Sequence, residues 1–290
     1  MAVKKKVARK TTGPVARATP RGVTREWGLP TEKSVPKANM GEYSILIYGE
    51  KKIGKTTIAA EFPDALFLMC EPGAKDLSVY KVDVKNWGDL VHTIDLLEKT
   101  GAKFKTVIMD TVDAAYDMCF DYMCIKLVID HPHDANDYGK SWKKIKQEFA
   151  RQINRLMRLG GFIALSHATL KEVDTLEGKI ARMMPTLSGQ AEEVLVGLID
   201  IWAYYGYSGG TRLLTIRGNE FVGGGTRLQN HFNTPDGKQI LEIPMGRSAK
   251  EAYTNLLAAY NNEQQSVKGG TEERAEKTGS GVQKKPIKRR

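Results

Sequence analysis

Short apolar runs alternate with amphipathic stretches along the middle of the chain. The runs lie at residues 43–48, 65–70, 106–109 and 162–165, and no charged residue interrupts them, which is typical of buried parallel strands. Apolar residues recur at helical spacing in residues 55–62, 87–99, 112–129 and 141–159. The alternation predicts an α/β fold in which a mostly parallel sheet is flanked by helices.

The later part of the chain has a different pattern. Two strand-like segments, 198–205 and 212–216, flank Gly209 and Gly210, and this spacing predicts a late antiparallel hairpin. Residues 249–260 have the periodicity of a last amphipathic helix. We therefore predict one patterned domain at residues 41–261.

Both ends of the 290-residue chain differ from this domain in composition. Residues 1–40 carry 10 basic and 2 acidic side chains, and residues 262–290 carry 8 and 4. The total formal charge is +10, so the patterned domain is nearly neutral, at −2. Because the ends contain few large apolar residues, we predict a flexible basic arm at 1–40 and a flexible basic tail at 262–290.

Composition excludes several classes of protein. No window approaches the roughly 18 uninterrupted apolar residues of a membrane span, so we expect no membrane association. The cysteines are too few for a disulfide framework and form no Cys-x-x-Cys pair: Cys70, Cys119 and Cys124. The basic N-terminus lacks the apolar segment of a secretory signal, although a transit peptide stays open. We expect a cytoplasmic protein.

The strongest chemical motif lies between the first predicted strand and the first predicted helix. It has the G-x-x-x-x-G-K-[ST] spacing of a phosphate-binding loop, and with the following threonine it comprises Gly49, Glu50, Lys51, Lys52, Ile53, Gly54, Lys55, Thr56 and Thr57. Glycines let backbone N–H groups turn toward a phosphate, the lysine reaches the β- and γ-phosphates, and the threonine hydroxyl binds Mg²⁺. The motif predicts binding of ATP with Mg²⁺.

Three polar side chains follow other predicted strands. Asp110 ends the strand at 106–109, where a carboxylate faces Mg²⁺, and is the candidate Walker B residue. Glu71 ends the strand at 65–70 and is a candidate general base for the attacking water, or else a surface residue before a Pro-Gly turn. His167 ends the strand at 162–165 and is a candidate γ-phosphate sensor, although a histidine at a strand end is more often structural.

The predicted helix around residues 140–158 is the most cationic part of the domain. It holds seven basic residues and one acidic residue, Glu148. Such a helix fits a groove for single-stranded nucleic acid, and it equally fits an ordinary solvated face. The neighbouring segment His131-Pro132-His133-Asp134 matches no strong metal-site spacing, so we interpret it as a loop.

Taken together, these motifs resemble phage-type RecA-like P-loop ATPases, including the RecA-core branch of the Sak-type single-strand annealing proteins. The resemblance is carried by residues 45–57, Phe62-Pro63, Glu71-Pro72-Gly73, Asp110-Thr111, Tyr138-Gly139 and Ser166-His167. It implies a RecA-like core whose nucleotide loop is 49–57, with Asp110 as Walker B, Glu71 as catalytic glutamate and His167 as sensor.

The same resemblance implies a function and partners. It implies ATP-dependent or ATP-modulated binding of single-stranded DNA in annealing and recombination, in a homo-oligomer with ATP between subunits, with a single-strand binding protein as a further partner and the host cytoplasm as location. Relatives place a Lys-x-Arg finger after a late hairpin to reach the neighbouring nucleotide. The nearest match is Arg227 in Gly225-Thr226-Arg227, which lacks the lysine, and Arg217 and Lys171 are alternatives.

Other functions are compatible with a phosphate-binding loop. A motor or loader ATPase would act on duplex DNA or protein. A small-molecule phosphotransferase would need an arginine-bearing lid, and the segment 129–140 contains no arginine. A module that uses ATP only as a structural ligand would tolerate the loss of Glu71. Because the carboxylates favour hydrolysis, we expect a slow, DNA-modulated ATPase.

Overall fold

The computed structural model describes residues 29–100, 103–176 and 178–264. Most of the two predicted arms, residues 1–28 and 265–290, lies outside the described residues. Residues 29–36 are exposed and contain no helix or strand. They belong to a first unit, and a second unit begins at residue 37. The architecture below concerns that second unit.

The described residues of this unit form ten strands and six α-helices. The strands are β1 (Ser44–Gly49), β2 (Ala65–Met69), β3 (Tyr80–Asp83), β4 (Thr106–Asp110), β5 (Gly161–Thr175), β6 (Gly178–Pro185), β7 (Ile201–Ser208), β8 (Thr211–Thr215), β9 (Gly225–Thr226) and β10 (Glu242–Pro244). The helices are α1 (Lys55–Ala59), α2 (Trp87–Thr100), α3 (Val112–Leu127), α4 (Lys140–Leu159), α5 (Gly189–Leu198) and α6 (Ala249–Tyr260). Two 3₁₀ turns lie at Met40–Glu42 and Pro132–Ala135.

Eight of these strands follow one another in the order β10-β8-β7-β1-β5-β4-β2-β3, while β6 pairs with β5 and β9 with β7. All neighbours from β7 to β3 are parallel, and β8 and β10 add on antiparallel. This confirms the predicted mostly parallel sheet with a late antiparallel hairpin, β7–β8. Because parallel strands end at the same edge, the residues after β1, β2 and β4 are brought together, next to His167 of β5.

Two hydrophobic cores cover the two faces of the sheet. The alternation along β1 shows why, since Leu46 points into the core under α2 to α5, whereas Ile45 and Ile47 point into the core with α1 and α6. All three side chains are buried. A strand that is buried on both faces carries the continuous apolar run observed in the sequence. Among the described residues, no helix combines the length and apolarity required to cross a membrane.

The largest departure from the predicted elements is the length of β5. The apolar run predicts a strand at 162–165, but β5 continues to Thr175 and pairs with β6 in an antiparallel ribbon from Ala168 to Pro185. The ribbon alternates half-buried and exposed side chains, with Lys171 half-buried and Glu172 exposed. A two-stranded ribbon buries little apolar surface, so its strands lack the apolar run by which the others were predicted.

Candidate active site

The carboxyl ends of β1, β2 and β4 meet in one cleft beside His167, which lies within β5. The prediction that His167 ends its strand is wrong, because pairing with β6 extends β5 to Thr175. Strand register fixes this meeting, because Met69 is paired with Asp110, Asp110 with Leu165, and Gly49 with His167. The cleft is lined by the loop between β1 and α1 and by Glu71, Pro72, Gly73, Asp110, Thr111 and His167. The structure therefore brings the loop, the candidate Walker B residue, the candidate base and the candidate sensor into one site.

The loop at residues 49–57 needs glycine at its first and sixth positions for different reasons. At Gly49, a Cβ atom would lie 2.1 Å from the carbonyl oxygen of Tyr205, so no side chain fits. At Gly54, the backbone has φ of 108°, a left-handed conformation that glycine adopts without strain. Lys52 is also left-handed, with φ of 65°. The loop therefore reverses direction at the end of β1 and leads into α1.

Lys55 is the buried cation of the loop. Its Nζ donates hydrogen bonds to the carbonyl oxygens of Gly49, at 2.9 Å, and Glu50, at 2.8 Å. Burial lowers the pKa of Lys55, and the nearby carboxylate of Asp110 opposes that effect. Ile53 packs in the core, whereas Glu50, Lys51, Lys52 and Thr57 are exposed.

Thr56 and Asp110 provide oxygen ligands suited to Mg²⁺. The Thr56 hydroxyl donates to Asp110 Oδ2 at 2.7 Å, so a hydroxyl and a carboxylate converge in the cleft. Burial raises the pKa of Asp110, the hydrogen bond from Thr56 lowers it, and the charge of Glu71 raises it. Mg²⁺ is usually held by one or two such oxygens together with phosphates and water, so these residues fit the ion.

Glu71 is fixed by two neighbours that belong to other elements. Its Oε1 accepts a hydrogen bond from the Thr111 hydroxyl at 2.7 Å, and its Oε2 lies 3.3 Å from His167 Nε2. Burial alone raises the pKa of Glu71, but the hydrogen bonds from Thr111 and His167 outweigh it, so the net pKa lies below its usual value. An ionised, anchored carboxylate at the cleft can accept a proton from water.

Two residues in the first turn of α3 were not among the predicted site residues. Thr111 is the N-cap of α3, and its hydroxyl also accepts from the backbone N–H of Ala114. Asp113 accepts from the Ser166 hydroxyl and from the backbone N–H of His167, both at 2.8 Å. Burial raises the pKa of Asp113, and the hydrogen bond from the His167 backbone lowers it. The sequence signal was a threonine and a second aspartate at the start of the helix after Asp110.

The three candidate finger residues do not line this cleft. Arg227 donates to the carbonyl oxygens of Gly197, at 2.6 Å, and Leu198 at the end of α5. Lys171 binds Glu192 at 2.6 Å and the carbonyl of Leu187, and Arg217 donates to Gln239. None of these three residues therefore acts as a finger in the site of its own subunit. The assignment of an intersubunit finger to Arg227 stays a prediction.

The basic helix α4 divides into two halves. Its later cations are largely paired within the protein: Arg151 with Glu148, Arg155 with Asp95 and Glu98, and Lys146 with Glu193. At its start, Lys140, Lys143 and Lys144 are exposed and form no ion pair within the described part of the chain. His131 and His133 belong to a 3₁₀ turn, and the described residues contain no cluster of metal-ligating side chains there.

The comparison with protein families agrees with a nucleotide-binding cleft. The family described as "AAA domain" matches residues 41–228. The SPbeta prophage-derived uncharacterized protein YorG of Bacillus subtilis (strain 168) is 29% identical over 130 residues, which are 43% of this chain and 40% of that protein. This chain therefore spans well under half of that relative. A solved ATPase from the type III secretion system of pathogenic bacteria is 11% identical, with a TM-score of 0.36, over 57% of this chain and 52% of that one.

Proposed function

Because the chain belongs to the AAA domain family of P-loop ATPases, we propose that it uses ATP to bind single-stranded DNA and promote annealing or recombination of phage DNA. The observation that supports the ATPase part is the convergence of the phosphate loop, the Thr56–Asp110 pair and the anchored Glu71 in one cleft. The resemblance to Sak-type annealing proteins supports the DNA part, and the similarity to a prophage-derived protein supports only the phage part.

The residues of the cleft divide the work of hydrolysis. Lys55 and the N–H groups of the loop hold the phosphates, and Thr56 and Asp110 hold Mg²⁺. When bound, Mg²⁺ neutralises charge on the β- and γ-phosphate oxygens. Glu71 accepts the proton of the attacking water, and Thr111 keeps its carboxylate directed at the cleft.

The N-terminal end of α4 is the region that best fits a single strand. Tyr138 is fully exposed just before the exposed lysines Lys140, Lys143 and Lys144. The loop that presents it is fixed, because Asp137 accepts hydrogen bonds from the backbone and hydroxyl of Ser141. An exposed aromatic ring for base stacking beside a row of lysines for phosphates is the usual combination for binding single strands.

Assembly and partners complete the proposal. We propose a homo-oligomer that binds ATP between its subunits. In this assembly Arg227 is the finger, and a single-strand binding protein is a further partner. Hydrolysis is slow and modulated by DNA.

The first experiment measures ATP turnover with and without single-stranded DNA in the parent protein, Lys55→Ala and Glu71→Gln. We expect turnover that DNA stimulates and that both variants lose, with ATP binding kept in Glu71→Gln because its amide oxygen can still accept from Thr111. The matched control is Asp117→Asn, an exposed carboxylate one turn further along α3 than Asp113. An ATP turnover that is the same with and without DNA would contradict the proposal and favour a protein or small-molecule substrate.

The second experiment locates the DNA. Lys143→Ala with Lys144→Ala should weaken binding of all single-stranded sequences and reduce the salt slope by about 0.7 for each lysine removed. Tyr138→Ala should cost about 1–3 kcal/mol of binding free energy without changing that slope. Lys99→Ala, an exposed lysine of α2, is the control. Unchanged affinity in both the double lysine variant and Tyr138→Ala would place the DNA elsewhere, and strand separation on duplex DNA would indicate a motor.

A further inference from the structure

Asp113 provides hydrogen-bond acceptors on the side of β5 where its neighbour β4 has ended. Strand β4 stops at Asp110, which is paired with Leu165, so the next two residues of β5 extend past it. The backbone N–H of His167 donates to Asp113 Oδ2, and the fully buried Ser166 donates to Asp113 Oδ1. One carboxylate of α3 thus replaces the missing strand neighbour.

The consequence of this contact is the position of the His167 ring. Its Nε2 lies 3.3 Å from Glu71 Oε2, and the other carboxylate oxygen of Glu71 is held by Thr111. Thr111 and Asp113 belong to the same turn of α3. The first turn of α3 therefore positions Glu71 in two ways. Thr111 contacts Glu71 directly, and Asp113 acts indirectly by holding His167, which contacts Glu71.

We infer that Asp113 is a positioning residue for ATP hydrolysis, which keeps the His167 ring against the carboxylate of Glu71. The inference rests on the proposed ATPase function, in which Glu71 is the base. Asp113 does not line the cleft, so it acts through His167 and not on the phosphates. Loss of the carboxylate leaves the His167 N–H without its acceptor, leaves the Ser166 hydroxyl with only the His167 carbonyl, and frees β5 to shift at His167. A displacement of about 1 Å in a reacting group lowers turnover by about 100-fold.

The test compares Asp113→Ala, Asp113→Asn and Ser166→Ala with the control Asp117→Ala. For Asp113→Ala we expect ATP affinity within about threefold of the parent and a kcat lower by about 10- to 100-fold. Asp113→Asn should lose less, because its amide oxygen can accept from the His167 N–H and its NH₂ group can donate to Ser166. Ser166→Ala removes one of the two contacts and should lie between the parent and Asp113→Ala.

Two further measurements separate positioning from a purely structural role. In a double-mutant cycle, Asp113→Ala should add almost no loss of kcat to Glu71→Gln, because both changes disable the same base. In the nucleotide-free protein, imidazole nitrogen NMR should show an altered His167 signal in Asp113→Ala and an unaltered one in Asp117→Ala. The His167 signal is assigned by its loss in His167→Gln.

The outcomes distinguish this inference from the proposed function. A parent without ATPase activity overturns the proposed function, and the NMR comparison still tests the Asp113–His167 contact. An active parent with unchanged kcat in Asp113→Ala, or with additive losses in the cycle, overturns the positioning role alone. If Asp113→Ala does not fold, Asp113→Asn and Ser166→Ala carry the same comparisons, and parental kcat in both would count against the inference.

Discussion

Gly49 and His167 lie side by side, as direct partners in the parallel register of β1 and β5. Gly49 begins the phosphate loop, and His167 contacts Glu71 across the cleft. The candidate sensor is therefore one strand spacing from the loop and within hydrogen-bond range of the candidate base. Because β5 lies between β1 and β4 in the sheet, it joins the phosphate side of the cleft to the Walker B side.

Gly49→Ala should destabilise the protein and weaken ATP binding. A Cβ at this position would lie 2.1 Å from the carbonyl oxygen of Tyr205, so β1 and β7 must move apart. Such overpacking typically costs about 1–3 kcal/mol of unfolding free energy. Gly197→Ala is the matched control, because its Cβ meets nothing within 4 Å, and in α5 it should stabilise by up to about 1 kcal/mol. Thermal and urea denaturation check both, and equal effects of the two substitutions would show that this packing argument is wrong.

Thr56→Val should lose Mg²⁺-dependent turnover, whereas Thr56→Ser should keep most of it. The Thr56 hydroxyl is the group that faces Asp110 at 2.7 Å, and valine has the same shape without an oxygen. Loss of a metal-positioning ligand is expected to lower kcat by about 100-fold. Titration of turnover with Mg²⁺ in the presence of a chelator checks this, with Thr254→Val as the control because Thr254 is an exposed threonine of α6 that does not line the cleft. Equal turnover in valine and serine variants would remove Thr56 from the metal site.

Arg227→Ala tests whether this residue has one role or two. Its guanidinium holds the carbonyls of Gly197 and Leu198, so its loss should lower the free energy of unfolding by about 1 kcal/mol. If Arg227 is also the finger, Arg227→Ala should in addition lose ATP turnover, because the finger acts on the nucleotide of the neighbouring subunit. Mixing Arg227→Ala with Glu71→Gln should then restore turnover, because one subunit brings an intact base and the other an intact finger. Parental turnover in Arg227→Ala alone would refute the finger.

The parts of the fold that were predictable from sequence are those whose signal is local. The apolar runs of β1, β2 and β4 and the spacing of the phosphate loop each lie within a few residues, and the rule that parallel strands end together placed Glu71, Asp110 and His167 at one edge. The ribbon was missed because β5 and β6 stabilise each other by pairing and carry charged residues, such as Lys171 and Glu172, within the strands.

The contacts inside the site were beyond a sequence-based prediction because they depend on register. Asp113 follows Asp110 by three residues, but its partners Ser166 and His167 are more than fifty positions away. They meet because β5 continues past the end of β4, so that Ser166 and His167 have no β4 partner at the cleft. A pattern of apolar residues predicts that a strand exists, but not where its neighbour stops.

Glu148 provides a test of how a buried charge stabilises α4. The carboxylate is almost fully buried and accepts hydrogen bonds from Trp87 Nε1 at 3.2 Å, Gln152 Nε2 at 2.9 Å and Arg151 Nη2 at 2.6 Å. Burial raises the pKa of Glu148, but these donors lower it by more than burial raises it. The net pKa therefore lies below the usual value. Glu148→Ala leaves buried donors unpaired and should cost about 1–3 kcal/mol of unfolding free energy.

The sign of the pH dependence follows from the lowered pKa. Because the folded-state pKa of Glu148 lies below its unfolded value of about 4.3, the unfolded chain binds the proton first as the pH falls. The stabilisation is therefore complete above that value and is lost as the pH falls through the folded-state pKa. Urea denaturation of the parent and Glu148→Gln should show a stability difference at about pH 7 that shrinks below about pH 4. A difference that stays constant over this range would mean that the charge of Glu148 contributes nothing to folding.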